Sequence, residues 1–242
     1  MFTNRSIKSV ETEEGLSTVQ YFSPDYRMDR TTGGKKSPNV LGKGNRNGLN
    51  HDRVSAIYRK ALDLFTEKGY SGTSMSMIAR ALKMSKANLY YYCSSKEDLF
   101  FKIHLDYLQK HLIPIVERAE QLPDPKDRIA HILKELTLLN ASDKAVRVLI
   151  PDILNLNKSH HNEIIGIWRR AYDIVENSIE ELQKAGKARK SRGVFQAFLG
   201  FGMANWTAYW FDYSRRAYAE ELAEALVQTF LNGLLCPEPN RP

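Results

Sequence analysis

Residues 73–101 read Thr-Ser-Met-Ser-Met-Ile-Ala-Arg-Ala-Leu-Lys-Met-Ser-Lys-Ala-Asn-Leu-Tyr-Tyr-Tyr-Cys-Ser-Ser-Lys-Glu-Asp-Leu-Phe-Phe, and no other stretch restricts the fold as tightly. Ser74 is a good helix N-cap, and Met75, Ile78, Ala79 and Leu82 follow at helical spacing, so a first short helix buries that face. Lys83 and Met84 make the turn. Ser85 caps a second helix, in which Leu89 and Cys93, four apart, point together into a small core. Lys86, Ala87, Asn88, Tyr90 and Tyr91 are left outside. Two short helices about a tight turn, followed by a longer helix, form a helix-turn-helix for duplex DNA.

The outward residues fit that use. From the first turn of a helix in the major groove, an asparagine can pair bidentately with adenine, an alanine can touch a thymine methyl, and a lysine can reach guanine or phosphate. Tyrosine hydroxyls and Lys96 suit backbone phosphates, which fix register without reading sequence. Tyr90, Tyr91 and Tyr92 cannot all face one core, because successive helical residues point about 100° apart.

The segment Phe65–Phe100 resembles the DNA-binding head of the tetracycline-repressor (TetR) family of bacterial regulators. The matching residues are Gly69-Tyr70, Thr73-Ser74, Ile78-Ala79, Ser85-Lys86, Asn88-Leu89-Tyr90-Tyr91 and Ser95-Lys96-Glu97. The resemblance implies phosphate contacts by Thr73 or Ser74, Tyr91 and Lys96. It places Lys86, Ala87, Asn88 and Tyr90 near base edges, with Ser85 among the DNA-facing residues. Three features, at four positions, depart from the family pattern. Lys83 replaces a turn glycine, where a left-handed backbone would cost on the order of 1 kcal/mol. Cys93 replaces a core phenylalanine, for which Phe100 or Phe101 is expected to compensate. Ser76 and Met77 replace acidic residues, which leaves Ser76 free to meet a phosphate.

Charge supports the same end of the chain. Of the net +7, residues 1–50 and 51–98 carry +3 each and the remaining 144 residues carry +1. A basic excess gathered in this way is expected where a chain meets a polyanion. No apolar run approaches the ~20 residues of a spanning helix, and no signal-peptide core opens the chain, so a cytoplasmic protein without membrane contact is expected. Cys93 and Cys236 match no zinc spacing or disulfide framework. Gly42, Gly44 and Gly48 match neither a P-loop nor a dinucleotide fingerprint, so no cofactor is expected.

The remainder is read as helices. Residues 1–50 lack a sustained apolar period and are expected to be a disordered extension, with Lys35, Lys36, Lys43 and Arg46 forming either a DNA arm or an inert tail. Asn50 or Asp52 can cap a support helix with a Val54, Ile57, Ala61, Leu64 and Phe65 stripe closed by Gly69. A long helix runs from Lys96 to about Gln121, with Pro114 expected to kink or break it. Asp124 and Pro125 begin the next, Ser142 is read as starting another, and a further helix spans Asn162 to Lys184. Two final helices, within Ser191–Asp212 and Tyr218–Leu235, complete an all-α fold of nine or ten helices. The domains are then a tail at 1–50, a helix-turn-helix head at 51–98 and a helical body at 99–236.

The penultimate helix is apolar on nearly all sides and must be buried on nearly all sides. Together with the last helix it resembles the family's dimer interface, with Gly200, Gly202 and Ala204 permitting close approach. One head reads only a half-site, so a homodimer on a double-stranded DNA operator is expected. The body's aromatic residues Tyr107, Trp168, Tyr172, Phe198, Phe201, Trp206 and Tyr209, with the amide of Asn205, could line an effector pocket or make an ordinary core. The run from Gly202 to Phe211 and on to Leu222-Ala223 is similar to family members that respond to acyl-coenzyme A. That similarity implies a hydrophobic or acyl-CoA effector, whose phosphates Arg169 and Arg170 could serve. An enzyme is disfavoured, because His160, His161 and Glu163 form no His-Glu-x-x-His array and no nucleophile elbow occurs. The expected function is a dimeric, ligand-released repressor; a ligand-independent architectural DNA binder is the alternative.

Overall fold

A computed structural model describes residues 46–235, with side chains from His51 onward. The tail lysines 35, 36 and 43 and Cys236 lie outside the described residues. The described chain is all-α: α1 (Arg46–Gly72), α2 (Met75–Ala81), α3 (Lys86–Tyr90), α4 (Lys96–Glu120), α5 (Pro125–Ser142), α6 (Val146–Leu149), α7 (Lys158–Lys184), α8 (Gly193–Trp210) and α9 (Ala219–Leu234). Two 3-10 turns, Pro151–Asn155 and Tyr213–Tyr218, link α6 to α7 and α8 to α9. Among the described residues no helix is long and apolar enough to cross a membrane.

The head forms as its caps require. Ser74 accepts from the Met77 amide at 3.2 Å, Ser85 from Asn88 at 3.1 Å and Ser95 from Asp98 at 2.9 Å, so each of α2, α3 and α4 starts at a serine. Ile57, Ala61 and Phe65 of α1 are buried, as are Ile78, Ala79 and Leu89, with α2 packed between α1 and α3. Phe100 is fully buried, edge-on to Phe65 at 5.3 Å and to Tyr70 at 5.0 Å. The Cys93 thiol donates to the Leu89 carbonyl at 3.5 Å.

Two expectations about α1 need correction or support. The helix begins at Arg46, inside the stretch expected to lack structure and ahead of the caps at Asn50 and Asp52. Gly69 interrupts it, as expected, with φ 74°, a region glycine enters without a Cβ clash. The turn between α2 and α3 puts Lys83 at φ 52°. A side chain there is strained, so Lys83→Gly should stabilise the head by about 0.5 to 1 kcal/mol, read as a higher melting temperature. An unchanged or lower value would mean that the strain is relieved elsewhere.

Pro114 neither breaks nor ends α4. Leu112 and Val116 on either side are buried at 1% and 0% exposure, so packing holds both halves despite the lost backbone bond. Ser142 ends α5 and starts nothing. The next residue, Asp143, leaves the helix and accepts from the Ala145 amide at 2.8 Å, which turns the chain into α6. The helix expected from Asn162 begins earlier, at Lys158, because Asn157 caps it through the Ser159 and His160 amides.

The central helix α5 packs against α4, α7, α8 and α9, with Ile129, Ile132, Leu133 and Leu136 fully buried. At Gly200 an added Cβ would meet Phe230 at 3.1 Å and Leu133 at 3.2 Å, so this glycine admits α8 to its own chain's core. Ala204 is also buried, and its carbonyl accepts from Asn140 Nδ2 at 2.9 Å. Of the three small residues read as dimer contacts, only Gly202 lies on the outer face.

Candidate nucleic-acid interface and aromatic core

The outer surface of the head carries a row of exposed side chains from one short helix. Ser85 opens α3, and Lys86, Ala87, Asn88 and Tyr90 follow, all exposed, while Leu89 anchors the helix at 0% exposure. Lys86 Nζ lies 5.8 Å from the Tyr90 ring centroid. Tyr91, at 82% exposure, stands free of the core and meets Tyr92 edge-on at 5.3 Å. Ser74 and Ser76 are exposed at the start of α2. Arg80, which the sequence reading passed over, is exposed in the last turn of α2 and joins no ion pair among the described residues.

Two phosphate candidates face elsewhere. Thr73 is 1% exposed, and its hydroxyl is held by the Leu64 carbonyl at 3.1 Å and the Gly69 carbonyl at 2.9 Å. It closes the end of α1 and cannot offer that hydroxyl to DNA. Lys96 is half-buried: its ammonium donates to the carbonyls of Tyr70 at 3.0 Å and Thr73 at 3.1 Å and sits 4.1 Å from the Tyr70 ring centroid. These contacts pin α4 to the end of α1, so removing Lys96 would disturb the head's architecture before any phosphate contact.

The body brings only part of the aromatic set together. Tyr172 of α7 stacks on Phe201 of α8, with centroids 4.1 Å apart and planes 11° from parallel, and meets Phe198 at 4.7 Å. Burial pushes the Tyr172 phenol well above the usual tyrosine range. Trp168, one turn earlier on α7, is half-buried. Asn205 accepts from Asn140 Nδ2 at 3.3 Å, so its amide has the partner that burial demands. Tyr107 is buried but tied away, its hydroxyl donating to Asp143 at 3.1 Å.

Trp206 and Tyr209 correct the reading: they are 65% and 44% exposed and line no interior. With Phe195 at 43%, Leu199 at 60% and Trp210 at 55%, they form an outward stripe along α8. The helix is therefore buried in its own chain on one face only. Arg170 is likewise committed, holding both Glu120 oxygens at 2.9 Å, whereas Arg169 is exposed.

Two buried polar groups escaped the sequence reading. His104 Nδ1 and Ser178 Oγ have no hydrogen-bond partner among the described residues. Burial lowers the His104 imidazole to about 3 and keeps it neutral. Each breaks the apolar stripe of its helix, which was the available signal. His160 Nδ1 lies 2.8 Å from Glu97 Oε1, and among the described residues no three His, Cys, Asp or Glu are grouped to hold an ion.

Residues 57–103 match the profile of the bacterial regulatory proteins of the tetR family, and residues 123–234 match a tetracyclin repressor-like C-terminal domain. The chain is 42% identical over 153 residues, 62% of its length and 80% of the relative's, to IcaR of Staphylococcus aureus, the helix-turn-helix negative transcriptional regulator of the biofilm operon icaADBC. It is 26% identical over 192 residues to the helix-turn-helix transcriptional regulator HbdR of Aromatoleum sp. (strain CIB), covering 76% of this chain and 82% of HbdR. Among solved structures, AibR in complex with isovaleryl coenzyme A and operator DNA superposes with a TM-score of 0.66 at 26% identity, covering 73% of this chain and 97% of AibR. The relatives are transcription regulators, which fits a protein without catalysis.

Proposed function

The chain belongs to the TetR family of bacterial regulatory proteins, and from that premise we propose that it is a homodimeric cytoplasmic repressor released from its operator by a small hydrophobic or acyl-CoA effector. The head, residues 51–98 with the start of α1 at Arg46 ahead of it, reads DNA, and the body at 99–236 senses and dimerises. One observation carries the DNA reading: the exposed Lys86, Ala87, Asn88 and Tyr90 on a helix anchored by Leu89. Asn88 and Lys86 are the base readers. Ser74, Ser76, Tyr91 and Arg80, all exposed, are the phosphate contacts of this reading, and Ser85 opens the leading turn.

Dimerisation is supported by the outward stripe of α8, which a lone chain would leave in water. Repression is supported by likeness to IcaR, and an acyl-CoA effector by likeness to AibR. The effector would enter between α7 and α8 where Tyr172 packs on Phe198 and Phe201, with Asn205 of α8 the nearby amide. Selection of bound duplexes from a random pool tests the reading. A palindromic pair of half-sites is expected, and Asn88→Ala should relax one base pair per half-site by about 1 to 3 kcal/mol. Unselective binding would favour the architectural alternative, and unchanged preferences in the variant would remove Asn88 from base reading.

A further inference from the structure

The sequence reading left His160 without a use, and the structure gives it one at the joint between head and body. One oxygen of Glu97, Oε1, accepts from the Asn157 amide at 2.9 Å and from Asn157 Nδ2 at 3.0 Å, and His160 Nδ1 lies 2.8 Å away. The imidazole is stacked on Phe101, centroids 3.8 Å apart and planes within 2°. Asn157 in turn caps α7, accepting from the Ser159 and His160 amides at 2.9 and 3.0 Å. A single carboxylate therefore fastens the first turn of α7 to the first turn of α4.

The neighbouring residue does the complementary work. Lys96 holds the carbonyl end of α1 and the loop into α2. A second tie between head and body runs from the Tyr70 amide to the Asp152 carboxylate, in the 3-10 turn before α7, at 3.3 Å. Two consecutive residues thus clamp opposite partners, Lys96 the head and Glu97 the body. Both side chains leave the first turn of α4, so movement of α7 can reach the head there without passing along the full length of α4.

We infer that Glu97 is a positioning residue that sets the angle of the head on the body and carries α7 displacements to the DNA-reading helix. The inference rests on the dimeric operator-binding reading above. It needs no ligand for its test, because a head of fixed angle demands a fixed separation of half-sites.

Full-length protein should be titrated with its selected operator and with duplexes in which the half-sites are one base pair closer or farther. The wild type is expected to lose about tenfold affinity on either altered duplex, and Glu97→Ala to lose less than about threefold. Glu97→Gln retains an oxygen that accepts from Asn157 and should keep most of the discrimination. Both variants lose the favourable charge at the start of α4, so a purely structural role would lower their melting temperatures together and leave spacing preference untouched. His160→Phe keeps the stack on Phe101 but loses the Nδ1 contact, and should fall between the two; it carries the same test should the alanine variant unfold. A Glu97→Ala protein as selective as the wild type overturns the inference alone. A wild type indifferent to spacing overturns the dimeric reading and the inference with it.

Discussion

Replacing Leu199 and Trp206 together with glutamate will convert the protein to monomers and lower its operator affinity about a hundredfold or more. Both side chains are more than half exposed in the single chain, at 60% and 65%, so charges there leave the protomer fold intact. In a paired interface each buried carboxylate without a cation costs several kcal/mol. A monomer then reads one half-site and loses the effective-concentration advantage of the second head, about 10² to 10⁴. Sedimentation and operator titration read the two effects. A variant that sediments as a dimer and binds as the wild type does would mean that another surface joins the heads.

A hydrophobic acyl-CoA will lower operator affinity by about 5- to 150-fold, equivalent to about 1 to 3 kcal/mol of coupling. Its acyl group has to separate Tyr172 from Phe201, which lie flat against each other at 4.1 Å, and so moves α7 relative to α8. Since α7 begins at the residues that hold Glu97, the displacement reaches the head directly. Tyr172→Ala and Asn205→Ala should blunt the response while leaving ligand-free operator binding within about twofold. Trp206→Ala should leave the effector contact itself unaltered, because that indole faces outward. Operator titrations across acyl-CoAs, free acids and aromatic drugs separate the possibilities. If none shifts the wild-type curve, the effector reading fails; if drugs alone do, the acyl-CoA assignment fails and the repressor survives.

What could be read from the chain depended on how local the determining interactions were. Ser74, Ser85, Ser95 and Asp124 each act on amides two or three residues away, so their helix starts were legible. The outward row of α3 was legible too, because Leu89 fixes which face is inside. The carbonyls that hold Thr73 and Lys96, those of Leu64, Gly69 and Tyr70, belong to the end of another helix and left no local trace. Periodicity also groups residues onto a face without saying what that face meets. Phe198, Trp206 and Tyr209 are expected together in one lining, yet Phe198 turns toward α7 while Trp206 and Tyr209 turn toward solvent. The joint at Glu97 was invisible, because its partners lie 60 and 63 positions away and only folding brings them together.

A two-headed sensor gives up DNA when its body takes a ligand, and native mass spectrometry of the full-length chain on its selected operator duplex, titrated with isovaleryl-CoA and longer acyl-CoAs, follows both events at once. The expected spectrum shows two chains per duplex without ligand, and the DNA-bound species declines as a ligand-loaded dimer takes its place. One chain per duplex, or a dimer that carries ligand and DNA together with no loss of the DNA-bound species, would contradict the account.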